Sequence, residues 1–399
     1  MLPTLEFRGR CPLPKKKIMR LLPACVLGLL LMATALPSQR NGGDIRPGPW
    51  QGAAKIPPGW IVHNTKNYQV QSECGIEKAK RLGEHMEVMN EVYRKMFKPD
   101  KAGAKQQTIK LFKDDDSFHA YGAPGGAAAY YSFNDREMVC YDTGKWSDEV
   151  KVAGPTTGVK ESPVERLKRR MSRFSEMMTM DLLGCAAHEG WHQYFHWYVG
   201  STVDLPSWIN EGMGDYFYTA APKETKGKKI PAELGRINEG RLWVLQSAMR
   251  QDLFVPLKQI LPMLQREFYA NPSVCYAEGW AFCQFLLHGA GGKYAKVIPN
   301  YIRLVKDDTN VETVQGKAFK GFDIAALETE FKAWVAAQKL EADPEGEEAI
   351  EGMPPIEPGE GGPVPGGEGT GTGGTGTGGT GGTGTGNGGG TGTGNGGGK

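Results

Sequence analysis

The sequence predicts an α+β fold, with a small N-terminal sheet lobe, a mainly helical C-terminal lobe, and the chemistry-bearing residues between them. Three observations predict it. The runs that alternate like half-buried strands, Gln107–Phe112, Ala127–Phe133 and Glu137–Tyr141, all precede residue 150. Beyond residue 180 the apolar residues recur at three- and four-residue steps, the period of helices. Both chain ends differ in composition from the middle, and removing them leaves residues 71–342, enough for one two-lobed domain.

From the N-terminus, Lys15-Lys16-Lys17 and Arg20 precede an apolar run, Leu21–Leu36, and Ala33-Thr34-Ala35 supplies a small-x-small cleavage pattern. Residues 1–35 therefore read as a signal peptide cleaved after Ala35. The run is short for a membrane span. The expected location is exported (secreted, periplasmic or cell-surface), with no stable membrane insertion after cleavage. Residues 36–70, rich in Gly and Pro between Asn41 and Pro58, read as a linker. From Ser72 to Phe97 the pattern is helical, with Ile76, Ala79, Leu82, Met86, Met89, Tyr93 and Phe97 on one face. Asn134-Asp135 is the expected hairpin turn between the second and third strands.

Trp146–Ser162 reads as a polar loop, and Arg166–Arg173 as a basic run. With 47 Lys and Arg against 45 Asp and Glu, the chain is close to neutral, so the basic run is a solvated helix face and nucleic acid is excluded as a partner. Pro222–Pro231 reads as a Lys-rich loop at the rim of a cleft. Helices are expected over Leu234–Arg250, Leu257–Tyr269, Ser273–His288, Lys293–Lys306 and Asp323–Leu340. Residues 343–399 are rich in Glu, Pro and Gly, and from Gly366 nearly all Gly, Thr and Asn. Nothing there can bury apolar area against the entropy of ordering. Five cysteines lie beyond the leader (Cys74, Cys140, Cys185, Cys275, Cys283), an odd number that leaves at least one thiol free; a Cys74–Cys140 bridge stays open, and Cys185 is expected to be buried and reduced.

The chain is organised around Leu182–Val199, and within it around His188-Glu189-Gly190-Trp191-His192. Residues four apart on a helix lie about 40° apart around the axis and about 6 Å along it, so both imidazoles can close on one ion. Glu189 then projects beside that ion, where a bound water would sit. This is H-E-x-x-H, whose chemistry is zinc hydrolysis with the Glu as general base. Phe174, Met178, Leu182, Cys185 and Val199 continue the same stripe, which predicts a helix running on both sides of the motif. Zinc needs a third protein ligand. His196 extends the histidine series, but a straight helix carries it about 6 Å further on, so it reads as lining the pocket or supporting the ligands.

Eighteen residues (193–210) separate His192 from Glu211, within Leu205-Pro206-Ser207-Trp208-Ile209-Asn210-Glu211-Gly212-Met213-Gly214-Asp215, a turn followed by a helix. This stretch resembles the gluzincin metallopeptidases, in which H-E-x-x-H is followed at that distance by N-E. His192-Gln193-Tyr194-Phe195 resembles the H-Q-x-F of aminopeptidase-N-like members, and L-P-x-W-x-N-E-G is similar to the bacterial peptidase-MA-like families. The resemblance is loose over residues 70–340 and specific over Gly184–Phe217 and at Tyr276. It implies a zincin-like fold with one zinc per chain held by His188, His192 and Glu211. Metal-bound histidines usually donate their other N–H to a carboxylate, and the E-x-x-x-D spacing resembles thermolysin-like members, which assigns Asp215 to His188. Tyr276-Ala277-Glu278-Gly279 resembles the Y-x-x-G of aminopeptidase-N-like enzymes, implying a catalytic Tyr276 hydroxyl at the oxyanion, beside the catalytic Glu189. The edge strand over a zincin cleft pairs with extended substrate, which points to Ala128 and Tyr130 for a peptide or protein substrate. Gly125–Tyr131 lacks the acidic residue and Asn of the G-x-M-E-N amine site, so endoproteolysis is expected. The alternative is a non-catalytic surface- or wall-associated binding protein on the same scaffold; intact His188, Glu189, His192 and Glu211 favour the enzyme.

Overall fold

The computed structural model describes residues 48–50, 55–99, 106–146, 180–199, 205–225, 228–308 and 310–340. The run read as a signal peptide, the stretch beyond Trp146 read as a loop, the basic run at 166–173, Phe174, Met178 and the residues from 343 on lie outside the described residues.

Strands β1 (Ile61–Asn64), β2 (Tyr68–Ser72), β3 (Gln107–Phe112), β4 (Ala129–Ser132) and β5 (Glu137–Tyr141) form one sheet in the order β1-β2-β3-β5-β4. The three central strands run parallel, and β1 and β4 pair antiparallel at the edges. The stretch to residue 70 read as linker thus contributes two strands. They are only four and five residues long, and Gln71 and Ser72 are polar yet buried, so their alternation is too brief to register. Helix α1 (Ile76–Met96) is the crossover from β2 to β3. It starts at Ile76 rather than Ser72, because Ser72 belongs to the ladder and Gly75, at φ +83°, turns the chain.

The sheet is covered on both faces, which is what central parallel strands require. Ile109, Leu111, Val70 and Met138 pack with Leu82 and Met86 of α1 and with Leu182 and Ala186. On the other face, Phe112 and Val139 meet Trp50, Trp60, and Phe118 and Tyr121 of α2 (Asp115–Tyr121). Lys110 and Glu137 sit under this second layer as a fully buried ion pair. Lys110 Nζ also donates to the Gly48 carbonyl at 2.6 Å and lies 4.3 Å from the Trp50 ring centre. A lysine is tolerated inside a central strand because its charge is matched there, and the match ties residues 48–50 to the sheet. The β4–β5 hairpin forms as expected, with its turn closed by Arg136 at φ +55°.

The chain beyond residue 180 is mainly helical: α3 (Leu182–Tyr194), α4 (Ser207–Tyr218), α5 (Glu239–Arg250), α6 (Leu257–Ile260), α7 (Gln265–Phe268), α8 (Pro272–His288), α9 (Val297–Leu304), α10 (Val311–Ala318) and α11 (Ile324–Ala337). Several boundaries differ from the periodicity. The expected helix over Leu257–Tyr269 is two single turns, because Pro262 has no N–H to donate to the helical ladder. The expected start at Leu234 moves to Glu239, where the Asn238 side chain caps the Arg241 N–H at 3.1 Å, after Gly235 at φ +80°. Helix α10 had no expectation at all. The Lys-rich loop is an antiparallel pair, β6 (Ala221–Thr225) and β7 (Lys228–Glu233), with a register shift between Ala221 and Lys223. Pro222 lies in that shift, a place where a strand tolerates a residue that cannot donate to a ladder.

Helix α8 is buried around nearly its whole circumference, as the central helix of the lobe must be. Helix α4 crosses it where two glycines meet, and a Cβ on Gly212 would stand 2.4 Å from the Gly279 carbonyl oxygen. Among the described residues, no helix is long and apolar enough to cross a membrane.

His85 of α1 ties the two parts together, its Nε2 2.9 Å from the Leu183 carbonyl in the first turn of α3. Burial pulls its pKa down to about 4. A depressed histidine contributes stability that is full above its unfolded value and is lost as pH falls toward its folded one. Between pH 6.5 and 4 the protein is expected to lose about 3 kcal/mol through this group. Denaturant unfolding across that window checks it: His85→Gln should flatten this part of the pH slope, and an unchanged slope would assign the loss elsewhere.

Candidate metal centre

Helix α3 begins where its cap is made. The Asp181 carboxylate accepts the Gly184 N–H at 2.7 Å, and the Asp181 N–H donates to the Tyr218 hydroxyl at 2.9 Å. Asp181 is extended, so the motif helix does not run back through Met180 as the apolar stripe suggested. At the other end α3 passes at Phe195 into a π-helical turn to Val199 instead of continuing straight.

His188, Glu189 and His192 are all buried on α3, and Glu211 and Asp215 on α4. Glu211 Oε2 lies 3.2 Å from His188 Nε2 and 3.5 Å from His192 Nε2. Ligand atoms at zinc bond lengths of 2.0–2.1 Å in a tetrahedron stand about 3.3 Å apart. Ligand atoms of His188, His192 and Glu189 also lie within 4.8 Å of one another. Glu211 closes on both imidazoles from α4, and Glu189 stands beside them on α3.

The outer nitrogens are held. His188 Nδ1 lies 3.0 Å from Asp215 Oδ1, as expected, and His192 Nδ1 lies 3.1 Å from the Asn210 side-chain oxygen. Each acceptor favours a proton on Nδ1, which in the neutral ring leaves Nε2 as the atom that would donate electrons to an ion at the shared point. Asp215 is itself fixed by Arg241, whose Nε donates to Oδ2 at 2.6 Å. Glu189 Oε1 and His192 Nε2 are buried without a hydrogen-bond partner among the described residues. Buried polar atoms rarely go unmatched, and a metal with a bound water would satisfy both. The donor set, two imidazoles and one carboxylate, is that of catalytic zinc.

The electrostatics follow from this crowding. Burial pulls the His188 pKa down, but its bonds to Asp215 and Glu211 outweigh that and take it up to about 10. Burial likewise opposes charge on His192, and Glu211 outweighs it in the upward direction. Burial pushes the Glu211 carboxyl up, yet His192 and His188 hold it well below the usual carboxylate range. Glu189 ends raised, because burial and Glu211 exceed the pull of the two histidines.

The remaining expected residues separate. Tyr276 is fully buried, its ring stacked 6.4 Å from that of His188 and capped by the Arg241 guanidinium 5.0 Å from its centre. The Tyr269 hydroxyl reaches the ligand set, donating to Glu211 Oε1 at 2.9 Å. His196, carried aside by the π turn, has Nδ1 2.6 Å from the Tyr131 hydroxyl and its ring 4.9 Å from that of Phe133. It lines the wall by the edge strand, away from the Glu211 cluster. Tyr130 turns its ring to Phe118 on the far side of the sheet. The Ala128 carbonyl accepts the Tyr141 N–H at 3.3 Å, so ladder alternation points the backbone of Ala128 and Tyr130 into β5 and that of Ala129 and Tyr131 to the open edge. All five described cysteines are free thiols, Cys185 buried as expected and the Cys74–Cys140 bridge unformed.

Asn210, Arg241 and Tyr269 were not anticipated. Asn210 stands in the N-E pair, a signal that could have found it. Arg241 and Tyr269 lie on separate elements far along the chain and carry no such mark. No known protein-family model and no curated protein matches this chain.

Helices α3 and α4 approach closely because Gly214 faces His188: a Cβ there would stand 2.6 Å from the imidazole. That ring is pinned on both sides and cannot yield cheaply. If these residues hold zinc, Gly214→Ala should weaken that binding by about 10–100-fold, the range for disturbed ligand support. Competition titration against a chelating dye measures it, and wild-type affinity in the variant would mean that the ring is not so constrained.

Proposed function

We propose that the protein is a zinc-dependent peptidase of gluzincin type, a zincin-like domain binding one zinc through His188, His192 and Glu211. The observation that carries this reading is the convergence of Glu211 Oε2 on both Nε2 atoms beside a buried, unpartnered Glu189 oxygen. Bound zinc supplies Lewis acidity and brings the pKa of a coordinated water toward about 7.

Glu189 is the general base. Its carboxyl is raised by burial, which suits it to take a proton from water and return it to the leaving amine. Asp215 and Asn210 hold the histidines through Nδ1, and Arg241 keeps Asp215 in place. The open edge of β4, at Ala129 and Tyr131, supports an extended peptide as substrate, since such a chain matches unpaired N–H and C=O groups. Gly125–Tyr131 offers no carboxylate for a free amine, which favours endoproteolysis. The basic and apolar N-terminal run supports export as the route to where this activity is exercised.

Glu189→Gln is expected to keep one zinc per chain and to lose about 10²–10⁴ in turnover of amine-blocked peptides. Zinc content and peptide digestion of both proteins test this together. Equal digestion by the variant would remove Glu189 from the chemistry. Cleavage confined to single N-terminal residues would overturn the endoproteolytic reading.

A further inference from the structure

The two oxygens of Glu211 face different partners. Oε2 is turned to the two imidazoles, at 3.2 and 3.5 Å. Oε1 accepts the Tyr269 hydroxyl at 2.9 Å, with the Asn210 amide nitrogen further off at 3.4 Å. A carboxylate can hold zinc through one oxygen or through both, and a small rotation about its last bond converts one mode into the other. The hydrogen bond from Tyr269 opposes that rotation, because Oε1 cannot reach the ion without giving up its donor.

We propose that Tyr269 is a positioning residue that sets how Glu211 binds metal, keeping it to a single oxygen and so keeping the fourth coordination position open. The inference rests on the zinc reading above. The donor is well placed for the task. The Tyr269 ring stacks 6.0 Å from Tyr276, at 21°, and meets Phe268 edge-on at 5.9 Å. Tyr276 in turn stacks on His188, so the ring carrying the hydroxyl and the ring carrying a ligand nitrogen are spaced by one rigid aromatic layer. The backbone is fixed as well: Tyr269 N–H donates to Gln265 at 2.9 Å, closing the single turn of α7 just before Pro272 starts α8. A hydroxyl held this firmly selects one carboxylate orientation. It also draws charge from Glu211, leaving a bound ion more acidic. Tyr276 is fully buried beneath it, and Tyr269 is half-buried.

Cobalt(II) replaces zinc in such sites and reports its coordination number, with a strong visible absorption when four-coordinate and a weak one when five-coordinate. The full chain is loaded with Co²⁺ and its spectrum compared for wild type, Tyr269→Phe, Glu211→Gln and the double variant. Phe retains the ring and its stacking. Wild type is expected to show the strong four-coordinate band, and Tyr269→Phe to lose most of it as Oε1 turns onto the metal. In Glu211→Gln the amide offers one oxygen, so removing the hydroxyl should change nothing further. A Tyr269→Phe spectrum identical to a four-coordinate wild type would overturn the positioning role and leave the zinc site standing. A wild type that takes up no Co²⁺ would overturn the metal reading and this inference with it.

Discussion

Everything at the centre depends on how closely α4 can approach its two neighbours. It meets α3 where Gly214 lies against the His188 ring, and where Gly184 lies against Tyr218. It meets α8 where Gly212 lies against Gly279. With side chains at those points the helices would stand apart by roughly the width of a methyl group, and Glu211 would no longer reach both imidazoles. Four glycines on three helices thus set the distance at which a carboxylate and two histidines share one point.

That closeness has an electrostatic cost which the surroundings offset. Three acidic groups, Glu189, Glu211 and Asp215, are buried within reach of the same two imidazoles. Carboxylates that crowded are not tolerated in a dry interior without compensating positive charge. Arg241 neutralises Asp215 from outside, and Tyr269 donates to Glu211. The remaining negative charge is directed inward. A divalent cation is the species such a cluster is suited to hold, and the edge strand β4 runs directly alongside.

Interactions within one element were legible in the sequence, and those between elements largely were not. His188, Glu189 and His192 declare themselves because a four-residue step on one helix fixes their relative positions. The β4–β5 hairpin is as local. Glu211 and Asp215 came from resemblance, since nothing in spacing alone folds α4 back across α3. Tyr269 was hidden because Pro262 broke the helix that periodicity assigned to it, and Tyr276 was the more obvious aromatic. His196 was placed on a straight helix, whereas the turn after Tyr194 widens. Strand β1 escaped because it is only four residues long, and β2 because its buried polar residues, Gln71 and Ser72, mask the alternation. In each case the missing information was a contact made by tertiary packing.

The central claim is a three-ligand zinc site of two imidazoles and one carboxylate oxygen, with a solvent oxygen completing it. Zinc K-edge X-ray absorption of the zinc-loaded protein tests that most directly, because it reads ligand type and distance at the ion. The account predicts only nitrogen and oxygen neighbours at about 2.0–2.1 Å, four in number, with outer-shell scattering from two imidazoles. Sulfur scattering at about 2.3 Å, from any of the five thiols, or the absence of imidazole scattering would contradict it.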